Sequence, residues 1–195
     1  MTSRRLLLAL AVALGCAPLA FRGRVQADVR SAQSLTAIVG AHGLTRDTNG
    51  DGLDDVVAAR VIVPASPTLG DAEAATNIAA RLGYDTTGLT LPLVVRDSDV
   101  AQPASIGVPI LVGRTNRFIQ SLVDAKTLDV AALKPGQGLI VAVASPLGGG
   151  DGLAVVGGDD DGTVNAAVEL YAVKRSAPAF PTCAGRSTWS LRRSR

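Results

Sequence analysis

The sequence predicts an α/β fold: a three-layer open sheet with helices on both faces, in the order β-α-β-β-α-β-β-α. Three observations carry this reading. Segments apolar on both faces alternate with segments of helical periodicity, the pattern of a mostly parallel sheet covered on each side by helices. Twice a glycine directly follows an apolar run and precedes a helical one, in LVGRTN (111–116) and VVGGDD (155–160), as at equivalent strand-to-helix corners. Finally, 195 residues, 47% hydrophobic and 18% charged, supply apolar material for one core but not for two large domains.

Each element follows from local chemistry. Residues 56–63 (VVAARVIV) are β-branched and end at Pro64, which predicts a strand. Residues 71–82 (DAEAATNIAARL) place alanine and leucine at helical spacing behind an acidic first turn, with Gly83 as the expected stop. A second strand is predicted over 89–95 (LTLPLVV), where Pro92 favours an edge or a bulge. Residues 108–112 (VPILV) form a third, closed by Gly113, and 116–125 (NRFIQSLVDA) a second helix. Residues 139–144 (LIVAVA) and 153–156 (LAVV) make two more strands. The glycine-rich turn 146–152 (PLGGGDG) between them suits an antiparallel hairpin. The last helix is expected over 163–174 (TVNAAVELYAVK), with Asp159, Asp160 and Asp161 at its start as cap and dipole partners.

The N-terminus reads as an export signal. Arg4 and Arg5 precede an apolar run of residues 6–14, too short for the roughly 20 residues of a membrane-spanning helix. Val25-Gln26-Ala27 suits signal-peptidase cleavage before Asp28, so residues 1–27 are the signal peptide and the mature chain has no transmembrane span. Ser3-Arg4-Arg5 also resembles a twin-arginine signal. Leu14-Gly15-Cys16 offers the alternative of a lipoprotein anchored through Cys16. Each route exports the protein, to the periplasm or beyond.

Cleavage changes the charge balance. The full chain is +2, but Arg4, Arg5, Arg22 and Arg24 leave with the signal, so 15 basic residues face 17 acidic ones, a net −2. Residues 28–175 are net −6, and only 3% of the chain is aromatic, so neither a basic nor a stacking surface for nucleic acid is expected. Residues 176–195 hold four arginines and no acid. That segment reads as a basic tail, either disordered or the product of a shifted reading frame. Cys183 is the one cysteine of the mature chain, so no intramolecular disulfide is expected.

One motif carries chemistry. In residues 47–55 (DTNGDGLDD), Asp47, Asn49 and Asp51 supply side-chain oxygens at alternate positions, Leu53 a backbone carbonyl and Asp55 a closing carboxylate. Hard calcium takes six to eight oxygens, and the intervening glycines let a short loop wrap it. The residue at the place of an EF-hand's bidentate glutamate is Ala58, and a strand follows rather than a helix. The loop therefore resembles the short DxNxDGxxD loops of dockerin-like, thrombospondin-type-3 and repeat-propeller families. Structural calcium is the expected cofactor, with a Kd of about 10⁻⁴–10⁻³ M. The competing reading is a plain Asn-Gly and Asp-Gly turn.

Other candidates are weaker. His42 has no partner ligand nearby in sequence, residues 148–150 lack the Gly-Lys-Ser/Thr of a phosphate loop, and Ser66 and Ser145 precede proline outside any GxSxG elbow. With no catalytic constellation, residues 28–55 read as an N-terminal segment carrying the loop and 56–175 as the α/β domain. PILVGRTN (109–116), GQGLIVAV (136–143), ATNIAARLG (75–83) and LAVVGGDDDGTVNAAVELYA (153–172) resemble the non-catalytic N-terminal α/β domains of secreted bacterial hydrolases, of the glycoside hydrolase or zinc carboxypeptidase type. The resemblance implies an exported, calcium-stabilised accessory or leader domain whose partner is a hydrolase catalytic domain or a cell-envelope polymer. The alternative is a small stand-alone secreted hydrolase or peptidase.

Overall fold

The computed structural model describes residues 34–40 and 43–176. The signal peptide, Cys16, His42, Cys183 and the tail beyond Ser176 lie outside the described residues.

The chain begins with a one-turn helix, α1 (Leu35–Val39), whose N-cap Ser34 accepts a bond from the Ala37 amide at 3.2 Å. Two short strands, β1 (Thr45–Arg46) and β2 (Val56–Val57), pair antiparallel as a hairpin. Then follow β3 (Ala59–Val63), α2 (Leu69–Tyr84), β4 (Val94–Arg96), β5 (Val108–Val112), α3 (Arg117–Asp124), β6 (Gly138–Val143), β7 (Gly152–Gly157) and α4 (Asp160–Ser176). The main sheet has the order β4-β3-β5-β7-β6, with β6 antiparallel to β7 and every other pairing parallel. An α/β fold with the predicted hairpin is what the chain forms.

Alternate strand residues feed two cores. Val61, Val63, Ile110, Val112, Leu153 and Val155 pack under α1, α2 and α4, against Ala74, Ile78, Leu82, Ala167 and Leu170. Ile62, Leu111, Ala154 and Val156 point the other way, against Ile119 of α3 and Leu128 and Val130 of the following loop. Burying each such side chain contributes about 1.5–3 kcal/mol, which is why these strands carry no polar face. The two corners that look equivalent in sequence therefore wind to opposite faces: the Gly113 corner leads to α3 and the Gly157 corner to α4.

Four elements differ from expectation. The strand predicted over 56–63 is broken at Ala58. The amides of Ala58 and Ala59 both donate to the Leu44 carbonyl, at 3.0 and 3.1 Å, so Val56 and Val57 go to the hairpin and the rest to the main sheet. Of residues 89–95 only Val94 and Val95 join a strand; Leu89 and Leu91 are exposed, and Pro92 has no amide to donate. That strand does lie at the sheet edge, as the proline suggested. Helix α2 runs through Gly83 to Tyr84, because Gly83 does not adopt the left-handed backbone that would end it and the Asp85 amide still donates to the Arg81 carbonyl at 3.0 Å. Helix α4 starts at Asp160 rather than Thr163, because Asp159 caps it.

Candidate functional site

Two places gather polar chemistry: the hairpin loop and the carboxyl end of the parallel strands. Residues 47–55 form the tip of the β1–β2 hairpin. Asp47 Oδ1 accepts from the amides of Asn49 (3.2 Å) and Gly50 (2.7 Å), and its Oδ2 accepts from Gly52 (2.8 Å). Asn49 Oδ1 accepts from the Asp51 amide at 2.9 Å, and Asp51 Oδ1 from the Leu53 amide at 2.8 Å. Asp55 closes the loop by accepting from the Thr48 amide (3.0 Å) and hydroxyl (2.8 and 2.9 Å). Gly50 and Gly52 adopt φ of +79° and +87°, and this left-handed backbone turns the amides inward.

All five predicted ligand residues lie in one hydrogen-bonded loop, in which Leu53 bonds to Asp51 through its amide and leaves its side chain 60% exposed. The amides of Gly52 and Gly50 hold the Asp47 carboxyl below the ordinary carboxylate range. Among the described residues no three His, Cys, Asp or Glu side chains converge closely enough to hold a metal ion. The base of the loop is anchored: Thr45 donates to Asp54, and the Asp54 carbonyl accepts from the Thr87 amide at 2.9 Å.

The other place is the end of the sheet where β3, β5 and β7 release their chains, the usual ligand crevice of open α/β sheets. Here the protein fills it with its own groups. Buried Asn116 accepts from the Phe118 amide as N-cap of α3 and donates from Nδ2 to the Ile62 carbonyl at 2.8 Å, tying β3 to β5. Buried Asp97 accepts from the Arg117 amide at 2.8 Å. A Cβ on Gly113, whose φ is +85°, would lie 2.4 Å from Asp71 Oδ1, so only glycine lets α2 come this close.

Asp71 itself completes a capping box with Thr68, donating its amide to Thr68 Oγ1 and accepting from the Thr68 amide, each at 3.1 Å. Thr68 also donates its hydroxyl to Asp160 Oδ1 at 2.8 Å, and Asp160 Oδ2 accepts from the Gly70 amide at 3.1 Å. The starts of α2 and α4 are therefore knotted together. Burial, with the nearby Asp160 charge adding to it, pushes the Asp71 carboxyl above its usual value.

The glycine corner after β7 is covered in the same way. Gly158 donates to the Gln137 carbonyl at 2.8 Å, and a Cβ on it would sit 2.1 Å from the Lys134 carbonyl oxygen. Asp159 Oδ1 accepts from Gly136 and Gly162, both at 2.8 Å, which lowers its carboxyl below the ordinary value. The reading of this acidic run as a helix cap is what the structure forms, and residues 148–150 do form the hairpin turn, with Gly148 at φ +80°. Asn116 and Asp71 show in sequence only as the first residues of predicted helices, and Asp97 carries no site signal there.

A family match decides what this arrangement belongs to. The family model described as S-layer like family, outer domain, matches residues 22–173. The chain belongs to that family. The match spans both the acid-loop hairpin and the α/β sheet, so the S-layer-like outer domain includes both. It makes the chain a domain of exported or surface type. No curated protein matches the chain. No helix among the described residues is long and apolar enough to cross a membrane.

Proposed function

We propose that this chain is a non-catalytic structural domain of a cell-surface layer, exported by its N-terminal signal and stiffened by calcium at the 47–55 loop. The observation that supports it best is the family match over 22–173, taken with a sheet end packed by the chain's own Asn116, Asp71 and Lys134–Gln137 segment. A ligand crevice needs exposed polar groups; these polar groups are spent on one another.

The case for calcium rests on the oxygen-rich side chains of the loop. Asp47 Oδ2 and Asp51 Oδ1 each accept a single amide and Asp55 Oδ2 a single hydroxyl, so each keeps a lone-pair direction for a cation, and binding would have to draw these three carboxylates closer together. The ion would be structural, fixing the hairpin that leads into β3. Attachment to a cell-envelope polymer suits a surface domain. A hydrolase partner is a narrower version, carried by the corner phrases alone. Reaction of surface lysines with a membrane-impermeant reagent on intact cells tests the central claim, since an exported surface domain reacts and a cytosolic one does not.

A further inference from the structure

The two edges of the main sheet are built differently. On one side β4 has three paired residues, is preceded by Pro92, and ends in exposed Arg96 followed by Asp97 and Asp99. Short length, proline and charge are the usual devices that stop an edge from recruiting another strand. On the other side β6 runs six residues, GLIVAV, with no charge and no proline.

Hydrogen-bond parity tells which β6 groups face outward. Gly158 donates to the Gln137 carbonyl, and Gly113 donates to the Val155 carbonyl on the opposite side of β7. Val155 therefore points its backbone at β5. With the register Leu139↔Val156, Val141↔Ala154 and Val143↔Gly152, the backbone groups of Leu139, Val141 and Val143 are those that face β7. The N–H and C=O of Gly138, Ile140 and Ala142 point away from the sheet. Nothing among the described residues bonds to these three outward positions.

We propose that this edge pairs with the same edge of a second copy of the chain, β6 against β6 in antiparallel sense about a two-fold axis at Ile140. The pairing is self-complementary. Ile140 meets its own copy, and Gly138 meets Ala142 twice, so each of three outward pairs exchanges two hydrogen bonds. Leu139 faces Val141 across the junction, and no like charges meet. A strand of another sequence fits the backbone as well, but the copy brings its own uncharged, proline-free edge at the same length. The result joins two five-stranded sheets into one of ten. This inference adds a partner to the surface-domain reading without depending on it, since the edge can pair in a protein that forms no layer.

The test uses the mature chain and its Ala142→Pro variant. Proline removes an outward N–H while leaving the bonds to β7 in place, as edge positions tolerate. Analytical ultracentrifugation is expected to show a concentration-dependent dimer for the wild type and a monomer for Ala142→Pro. Hydrogen exchange supplies a readout that does not rely on the variant. The Ile140 and Ala142 amides should exchange slowly at dimer concentrations and quickly on dilution. A wild-type chain that stays monomeric at several hundred micromolar overturns the proposal. So does a dimer in which these two amides exchange quickly, because another surface then makes the contact. Slow exchange independent of concentration also overturns it, because the chain itself then covers the edge.

Discussion

Single residues set the electrostatics of both polar places, in opposite directions. Asp47 is exposed and held below the usual carboxylate range by the Gly52 and Gly50 amides. Its contribution is present above the unfolded value near 3.8 and is lost as pH falls through the lower folded value. Asp71 is buried and raised, first by desolvation. Its contribution runs the other way: it is fully present below about pH 3.8 and lost as pH rises through the folded value. Asp71→Asn keeps an acceptor for the Thr68 amide and removes the buried charge. Urea unfolding across pH 3.5 to 7 is expected to show the variant gaining stability relative to wild type as pH rises. A stability difference independent of pH would mean that Asp71 is not desolvated as the structure has it.

At the scale of elements, the close contact of α2 with α4 depends on one glycine. A Cβ on Gly70 would lie 2.5 Å from Asp160 Cβ and 2.7 Å from Asp160 Cα, so the two helix starts must move apart to admit it. Gly70→Ala is expected to lose about 1–3 kcal/mol, although alanine favours a helix by up to ~1 kcal/mol. A variant as stable as wild type in thermal unfolding would show that the helix starts are not locked. The hairpin makes the second element-scale prediction. If the loop takes calcium with a Kd near 10⁻³ M, 10 mM calcium adds about 1.4 kcal/mol, a rise in Tm of about 3–6 °C. Asp51→Asn keeps an acceptor for the Leu53 amide but halves the charge it shares with Asp47, and the rise should shrink or vanish. No change in the wild-type Tm would refute the calcium reading.

These elements also show what a sequence can carry. Strands β5 and β7 were legible because both faces are buried, so apolar runs such as VPILV have no competing reading. Helix α1 (LTAIV) was missed, since five apolar residues show no helical period, and β1 and β2 are too short to leave one. The donors of the 47–55 loop were readable from their alternation. Their mutual bonds were not, because these depend on the left-handed backbone of Gly50 and Gly52. Asn116 and Asp71 open two of the predicted helices, yet their joint closure of the sheet end arises only when β3, β5 and α2 are brought together.

At the scale of the whole molecule, the chain builds a self-packed α/β domain of exported or surface type. Its stability resides in the two cores, one on each side of the sheet, and its polar groups chiefly lock elements to one another. Lys126 and Lys134 are both exposed, which makes them reporters of where the folded domain stands. Intact source cells are treated with a membrane-impermeant amine reagent, and the protein is then isolated for peptide mapping alongside a cytosolic marker. The account predicts modification of Lys126 and Lys134 with the marker untouched. Unmodified lysines on intact cells that become reactive only after lysis would contradict it.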